Sequence, residues 1–364
     1  MSHSAVARGL LRKFFRARFF AAGLLLPACI APAVAFAQGG FVIRGSVNDP
    51  AGGPLGYSVV SIVSTERQIL TDDGGRFVFA KLDAGTYRIR ARHLGFVPLD
   101  TVVTVSAERN PELELRLTRL TVRLSEMRVV AAGPCVHPGP PDPATDPALA
   151  AIFGQLRENA DRAVALGRQF PFVYQMERKF SQRTVNDGVR PLNVDTLVIE
   201  GGAPWPYRAG RVISDVNEHG RIVRQLNIPG LVQLADSGFH HSHCFSYGGV
   251  EKVSGTRYIR VDFEADTRIG EPDIEGIAYL DPEGYQVRRI VMSLTRSERL
   301  DPHIVRLQVT SLFREIVPSV VILDSAEGVT TFEMPTGGAL TRTERQKTVK
   351  VVFTRGAPPG AALP

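Results

Sequence analysis

The 364-residue sequence predicts a mainly β protein: an N-terminal antiparallel β-sandwich, then an α+β domain whose long curved antiparallel sheet packs on one helix. Three observations predict it. Between residues 39 and 130, short alternating stretches recur between Gly-, Pro- and Asp-rich turns, the pattern of a sandwich. A helical period runs from Asp146 to about Gly167. Longer β-type runs then continue to residue 353. Single hydrophobic cores stop growing at roughly 250–300 residues, so a chain of this length is expected to divide into two domains.

Residues 1–37 read as an export signal. Arg8, Arg12, Lys13, Arg16 and Arg18 form a basic region, Phe19–Leu26 an apolar one, and Ala35-Phe36-Ala37 a small-x-small cleavage site before Gln38. A retained anchor is the alternative, but Pro27 and Pro32 interrupt the apolar run. Leu26-Pro27-Ala28-Cys29 also resembles a lipobox, and acylation of Cys29 would tether the protein to a membrane surface. The formal net charge is +6, and removing the five positive charges of the leader leaves +1. A nearly neutral mature chain has no field with which to gather nucleic acid.

In the first domain, Phe41–Val47, Tyr57–Val63, Arg76–Phe79 and Thr86–Ala91 read as strands, with two more near 97–105 and 112–118. Asn48–Pro54, Thr71–Gly75 and Leu82–Gly85 are the turns, because Asp, Gly and Pro supply their dihedrals. Phe77, Phe79, Tyr87 and Ile89 alternate and can fill one face. The run Gly45-x-Val47, Gly53-x-Leu55, Thr71-Asp72, Gly75-Arg76-Phe77, Leu82-x-Ala84-Gly85-Thr86-Tyr87 and Gly95-Phe96 closely resembles the carboxypeptidase regulatory-like domain. That resemblance implies a transthyretin-like, carbohydrate-binding-like sandwich acting as an accessory module. It does not imply peptidase activity.

Residues 131–147 form a Pro-rich linker that is expected to be extended. Asp146-Pro147 starts the helix, with a capping carboxylate and Pro at the first position. Leu149, Ile152, Phe153, Leu156, Ala160, Ala163 and Leu166 keep helical spacing. The expected strands are 170–179, 192–200, 258–265, 276–280, 287–295, 304–313, 319–325, 329–333 and 347–353, within a domain of residues 148–356. A disordered tail is expected at 357–364. Pro272–Arg289, with its Leu280-Asp281-Pro282-x-x-Tyr285 turn, resembles the strand–turn–strand segment of outer-membrane lipoprotein carrier-like half-barrels. That resemblance implies an apolar cavity between sheet and helix, and no binding residue carries over.

The candidate chemistry is sparse. Cys135 and Cys244 form an even pair in an exported chain and are expected to form a disulfide. A closed loop of roughly 110 residues contributes about 4–5 kcal/mol in the chain-entropy model. His240-His241-Ser242-His243-Cys244 is the competing metal reading, since His241 and His243 would share a strand face. No second ligand pair stands at a recognisable spacing, which favours a solvated polar strand ending in a structural cysteine. Trp205 and Tyr207, in a Gly/Pro-rich loop, are candidates for stacking on a ligand, against the plainer role of loop anchors. No His is followed three residues later by Glu, which argues against a zinc carboxypeptidase. There is no Gly-x-Ser-x-Gly elbow and no phosphate loop. Asp273, Glu275, Asp281 and Glu283 offer nothing that marks two of them as an acid–base pair.

The sequence therefore points to a non-enzymatic exported protein of the periplasm or outer-membrane surface, without a cofactor. It would bind or scaffold a protein partner or a glycan. The alternative is a periplasmic carrier holding a lipid or other apolar ligand in the curved sheet. The scaffold needs a packed interior and the carrier a hollow one.

Overall fold

The computed structural model describes residues 40–364, apart from 66, 108–110, 123–132, 185–187, 202–205, 219 and 336. The export segment with Cys29, and Trp205, lie outside the described residues.

Seven strands build the first part: β1 (Phe41–Asn48), β2 (Val59–Ile62), β3 (Gln68–Leu70), β4 (Arg76–Leu82), β5 (Gly85–Arg92), β6 (Leu99–Val105) and β7 (Glu112–Arg116). They form two sheets, ordered β4-β1-β7 and β3-β2-β5-β6. On β4, Phe77 and Phe79 are buried while Arg76 and Val78 face solvent, the alternation expected of a half-buried strand. They meet Ile89 and Val103 of the facing sheet in one core. One pairing corrects the all-antiparallel expectation: β7 runs parallel to β1. It follows β6 of the other sheet, and such a crossover brings a strand in without reversing it on its neighbour. The turn before β4 requires its glycine. Gly75 has φ +73°, and a Cβ there would meet the Val47 carbonyl oxygen at 2.5 Å.

Helix α1 (Pro147–Gln169) follows. The Asp146 carboxylate accepts from the Leu149 N–H at 2.9 Å, satisfying one of the orphan donors of the first turn. The remaining elements are β8 (Phe172–Thr184), β9 (Val189–Glu200), β10 (Ile213–Glu218), β11 (Arg221–Leu226), α2 (Ser237–His241), β12 (His243–Val253), β13 (Thr256–Ala265), β14 (Ile274–Leu280), β15 (Val287–Leu294), β16 (Ile304–Val317), β17 (Val320–Glu333) and β18 (Ala339–Phe353). A 3-10 turn spans Leu231–Ala235. Nine strands form one sheet in the order β12-β13-β14-β15-β16-β17-β18-β8-β9. The stretches expected as two strands at 319–325 and 329–333 are the single strand β17, because Gly328 stays in the ladder between Val309 and Glu344. The hairpin β10–β11 was not expected from the sequence, and the strand expected at residues 240–244 starts later, since residues 237–241 are α2 and β12 begins at His243. Among the described residues no helix is long and apolar enough to cross a membrane.

The helix fills the space under the sheet. Leu149, Ile152, Leu156 and Ala160 pack with Val261, Phe263, Ala278, Ile290 and Phe313. Burying side chains of this size contributes roughly 1.5–3 kcal/mol each. A second core joins the two parts. Tyr57, Val59 and Leu70 of the sandwich pack with Leu166, Phe172, Ile316, Val320 and Val351. Residues 40–364 thus form one compact unit rather than two beads on a linker.

The C-terminal tail is not disordered as expected. The Ala362 N–H donates to the Ile316 carbonyl at 2.7 Å, the Tyr57 hydroxyl donates to the Pro359 carbonyl, and Ala361 packs on the second core.

Candidate functional site

Helix α1 carries a second face, made of polar side chains. Gln155, Glu158, Asn159 and Arg162 fall at helical spacing, and all four are buried. This stripe is what the sandwich and the sheet turns close upon. Gln155 Oε1 accepts from the Gly95 N–H at 2.8 Å. The Asn159 amide donates to the Tyr285 carbonyl at 2.8 Å and accepts from the Val287 N–H at 2.9 Å. Arg162 is fully buried, and its Nε donates to the Ser319 carbonyl at 2.7 Å. Two turns beyond, Gln169 accepts from the Leu70 N–H at 2.8 Å and donates to the Leu70 carbonyl at 3.3 Å, extending the β3 edge as a strand would.

The charges at this seam are balanced within it. Arg92, at the end of β5, reaches Glu158 at 2.9 Å and Asp161 at 2.5 Å. Glu158 also faces Arg162 at 3.7 Å. Burial raises the Glu158 carboxyl above its ordinary range, against the pull of Arg92 and Arg162. Burial likewise brings Arg162 down to about 10, opposed by Glu158. His93 completes the seam. Its Nδ1 lies 2.9 Å from Ser58 Oγ and its Nε2 3.3 Å from Ser319 Oγ. The Ser58 hydroxyl already donates to the Leu55 carbonyl, so Nδ1 carries the proton and Nε2 accepts. Burial, reinforced by Arg162, lowers His93 to about 2 and keeps that ring neutral.

A cleft of about 450 Å³ opens where the two parts meet. His93 and Ser319 stand at its back, Gly95, Phe96, Arg119 and Thr121 form the sandwich wall, and Glu283 and Tyr285 form the opposite wall. The Arg119 guanidinium lies 5.4 Å from the Phe96 ring centroid, a cation–π distance. The opposite wall is the Leu-Asp-Pro-x-x-Tyr turn. Asp281 accepts from the N–H groups of Gly284 and Gln286 at 2.6 and 3.1 Å, which aims Tyr285 at the seam. Arg119 and Glu283 are exposed rim charges of opposite sign. Such a cleft offers hydrogen-bond donors and acceptors rather than a greasy pocket.

The expected site residues fall elsewhere. Cys135 and Cys244 form the disulfide, with Cα atoms 5.5 Å apart. His241 ends α2, exposed, with its Nδ1 on the Ser237 carbonyl at 2.7 Å. His243 opens β12, buried, between the carbonyls of Phe239 and Ile274 at 2.8 Å each. The shared strand face proposed for these two is corrected, since His241 ends a helix and is exposed while His243 is buried at the start of β12. Among the described residues no group of three or more His, Cys, Asp or Glu is placed to hold a metal ion. Tyr207 is not available for stacking. It is buried beside Phe239 and His243, and its hydroxyl donates to Asp273. Asp273 also accepts from the Gly210 and Ile274 N–H groups at 2.9 and 2.8 Å, so this carboxylate clamps a loop to β14.

Sequence reasoning missed the seam residues. The signal was present as a polar stripe at helical spacing, but such a stripe ordinarily faces water. Arg119 and Thr121 carry no local signal, since the fold alone makes them a wall.

Residues 42–118 match the family model of the carboxypeptidase regulatory-like domain. No curated protein matches the chain. Among solved structures, a DUF1329 family protein from Desulfovibrio piger is similar at 11% identity and TM-score 0.33, over 57% of this chain and 93% of that one. A LolA superfamily protein from Nitrosomonas europaea is similar at 9% identity and TM-score 0.27, over 54% and 92%. A domain provisionally described as part of an outer membrane lipoprotein-sorting protein, from Vibrio parahaemolyticus, is similar at 11% identity and TM-score 0.29, over 55% and 96%. These superpositions are partial, and no function is drawn from them.

Proposed function

We propose that this chain is a non-catalytic, exported protein of the bacterial envelope that serves as a binding scaffold for a protein partner or a glycan. The observation that carries the reading is the seam. A sandwich held by buried hydrogen bonds, ion pairs and a shared apolar core cannot swing as an independent module, so the cleft beside it keeps one shape. Preformed walls lower the ordering cost of binding. The lining of Phe96, Arg119, Thr121, Glu283 and Tyr285 suits a polar ligand with some apolar surface. The disulfide between Cys135 and Cys244 supports an oxidising compartment.

The carrier alternative requires free volume between helix and sheet. Leu149, Ile152, Leu156 and Ala160 occupy the space under β13–β16 with Phe263, Ala278 and Ile290. This packing favours the scaffold.

The test is native mass spectrometry of the protein purified from an envelope in mild detergent. The scaffold reading expects a retained glycan or polypeptide on the wild type, lost in an Arg119→Glu/Thr121→Trp variant that keeps its circular dichroism. A retained lipid unaffected by that variant would overturn it in favour of the carrier.

A further inference from the structure

The nine-stranded sheet ends in two edges of opposite character. The β12 edge is guarded. The disulfide ties it to the Pro-rich segment, the Gly139 N–H donates to the His243 carbonyl at 2.9 Å, and the strand has a bulge between Tyr247 and Gly249. The β9 edge has no strand beyond it among the described residues. Exposed edges normally carry charges, bulges or proline that stop them pairing with another chain. On β9 the proline and the ladder irregularity sit at the N-terminal end: Pro191, and the register shift between Asn193 and Pro191. From Asn193 to Ile199 the strand is regular, and Asp195 is its only charge. Arg178 holds that carboxylate at 2.6 and 2.7 Å. Val194 and Val198 are 57% and 68% exposed, large values for valine on a twelve-residue strand.

We propose that β9 is a homodimerisation edge, on which β9 of a second copy pairs antiparallel about a two-fold axis through Thr196. The sequence is its own complement in this register. Val194 lies opposite Val198, Thr196 opposite itself, Asn193 opposite Ile199 and Asp195 opposite Leu197 of the second copy. Val194, Thr196 and Val198 share one face, set by their partners Lys179, Glu177 and Gln175 on β8. β-branched side chains therefore meet directly across the junction, the favoured cross-strand pairing. No like charges oppose, since each Asp195 is neutralised by its own Arg178. The result is an isologous interface joining two nine-stranded sheets into one. Its occupant is a second copy because the complementarity is internal to the strand. A strand pair of this length is a small interface, so the dimer exchanges with monomer.

The test uses the purified exported protein carrying Thr196→Cys. Oxidation is expected to give a disulfide-linked dimer on non-reducing gels, and Thr331→Cys, three strands further in on β17, gives none. Sedimentation equilibrium is expected to show a concentration-dependent dimer in the wild type. The Val194→Lys/Val198→Lys variant, folded by circular dichroism, shifts the dimer constant at least tenfold toward monomer. The proposal is overturned by a wild type that stays monomeric up to about 100 µM, the range in which small interfaces exchange. It is equally overturned by a dimer that neither cross-links at position 196 nor responds to the lysines. A different polypeptide found paired to β9 would also remove the second copy as its occupant.

Discussion

Arg162 shows how a buried charge can hold two halves of a protein together. It has no exposure, and its neighbours Glu158, Arg92 and Ser319 come from its own helix, the sandwich and a sheet turn. Removing Arg162 leaves the buried Glu158 with Arg92 as its remaining cation and takes the donor from the Ser319 carbonyl. Arg162→Met is therefore expected to cost about 1–3 kcal/mol in urea unfolding, and the paired change Glu158→Leu/Arg162→Met clearly less. Equal losses in the two variants would show that the ion pair is not what matters there. His93 makes a second residue-scale prediction. Its folded-state value lies far below the ordinary histidine range, so unfolding takes up a proton under acid conditions. The stability it contributes is complete above about pH 6.5 and is lost as pH falls, by about 1.4 kcal/mol per unit. His240, lowered by burial, adds in the same direction. His93→Gln is expected to flatten the slope of unfolding free energy against pH between about 6.5 and 4 by one proton's worth. An unchanged slope would mean that His93 is protonated in the folded state.

At the scale of elements, α1 is the piece that organises both cores. Its apolar face was legible in the sequence, because Leu149, Ile152, Leu156 and Ala160 repeat at helical spacing and Asp146-Pro147 marks the start. Its polar face was missed, because Gln155, Glu158, Asn159 and Arg162 have the composition of a solvated surface and only the tertiary partner makes them interior. The sandwich strands were legible from alternation and turn glycines. The parallel β1–β7 pair was not, since pairing direction is set by a crossover rather than by local pattern. The start of β12 was hidden because the histidines just before it, His240 and His241, end the short helix α2, and the strand begins only at His243. The cleft was not legible: the Leu280–Tyr285 turn that forms one wall was read for an apolar cavity between sheet and helix, where α1 packs instead. Sheet packing also makes a prediction. Gly276 on β14 lies under the Phe263 ring, where a Cβ would meet Phe263 Cζ at 2.8 Å and the Val291 carbonyl at 2.1 Å. Gly276→Ala is expected to cost about 1–3 kcal/mol by overpacking, read from the denaturation midpoint. A neutral result would mean that the two strands can part there without loss.

At the scale of the whole molecule, the sandwich, the helix and the nine-stranded sheet act as one body. The Cys135–Cys244 bridge spans 109 residues and ties the start of the second part to the β12 edge. Its reduction is expected to lower stability by about 4–5 kcal/mol in the chain-entropy model without separating the two parts, because their shared core does not depend on it. The central claim is that the sandwich is locked to the helix, and native-state hydrogen exchange tests it most directly. Amides of β1 and β5 in the sandwich and of β13–β15 in the sheet are expected to open in one cooperative unit with the same free energy, as measured by mass spectrometry in mild denaturant. Sandwich amides that exchange at markedly lower free energy, while those of the sheet stay protected, would show two independent domains and contradict the fused scaffold.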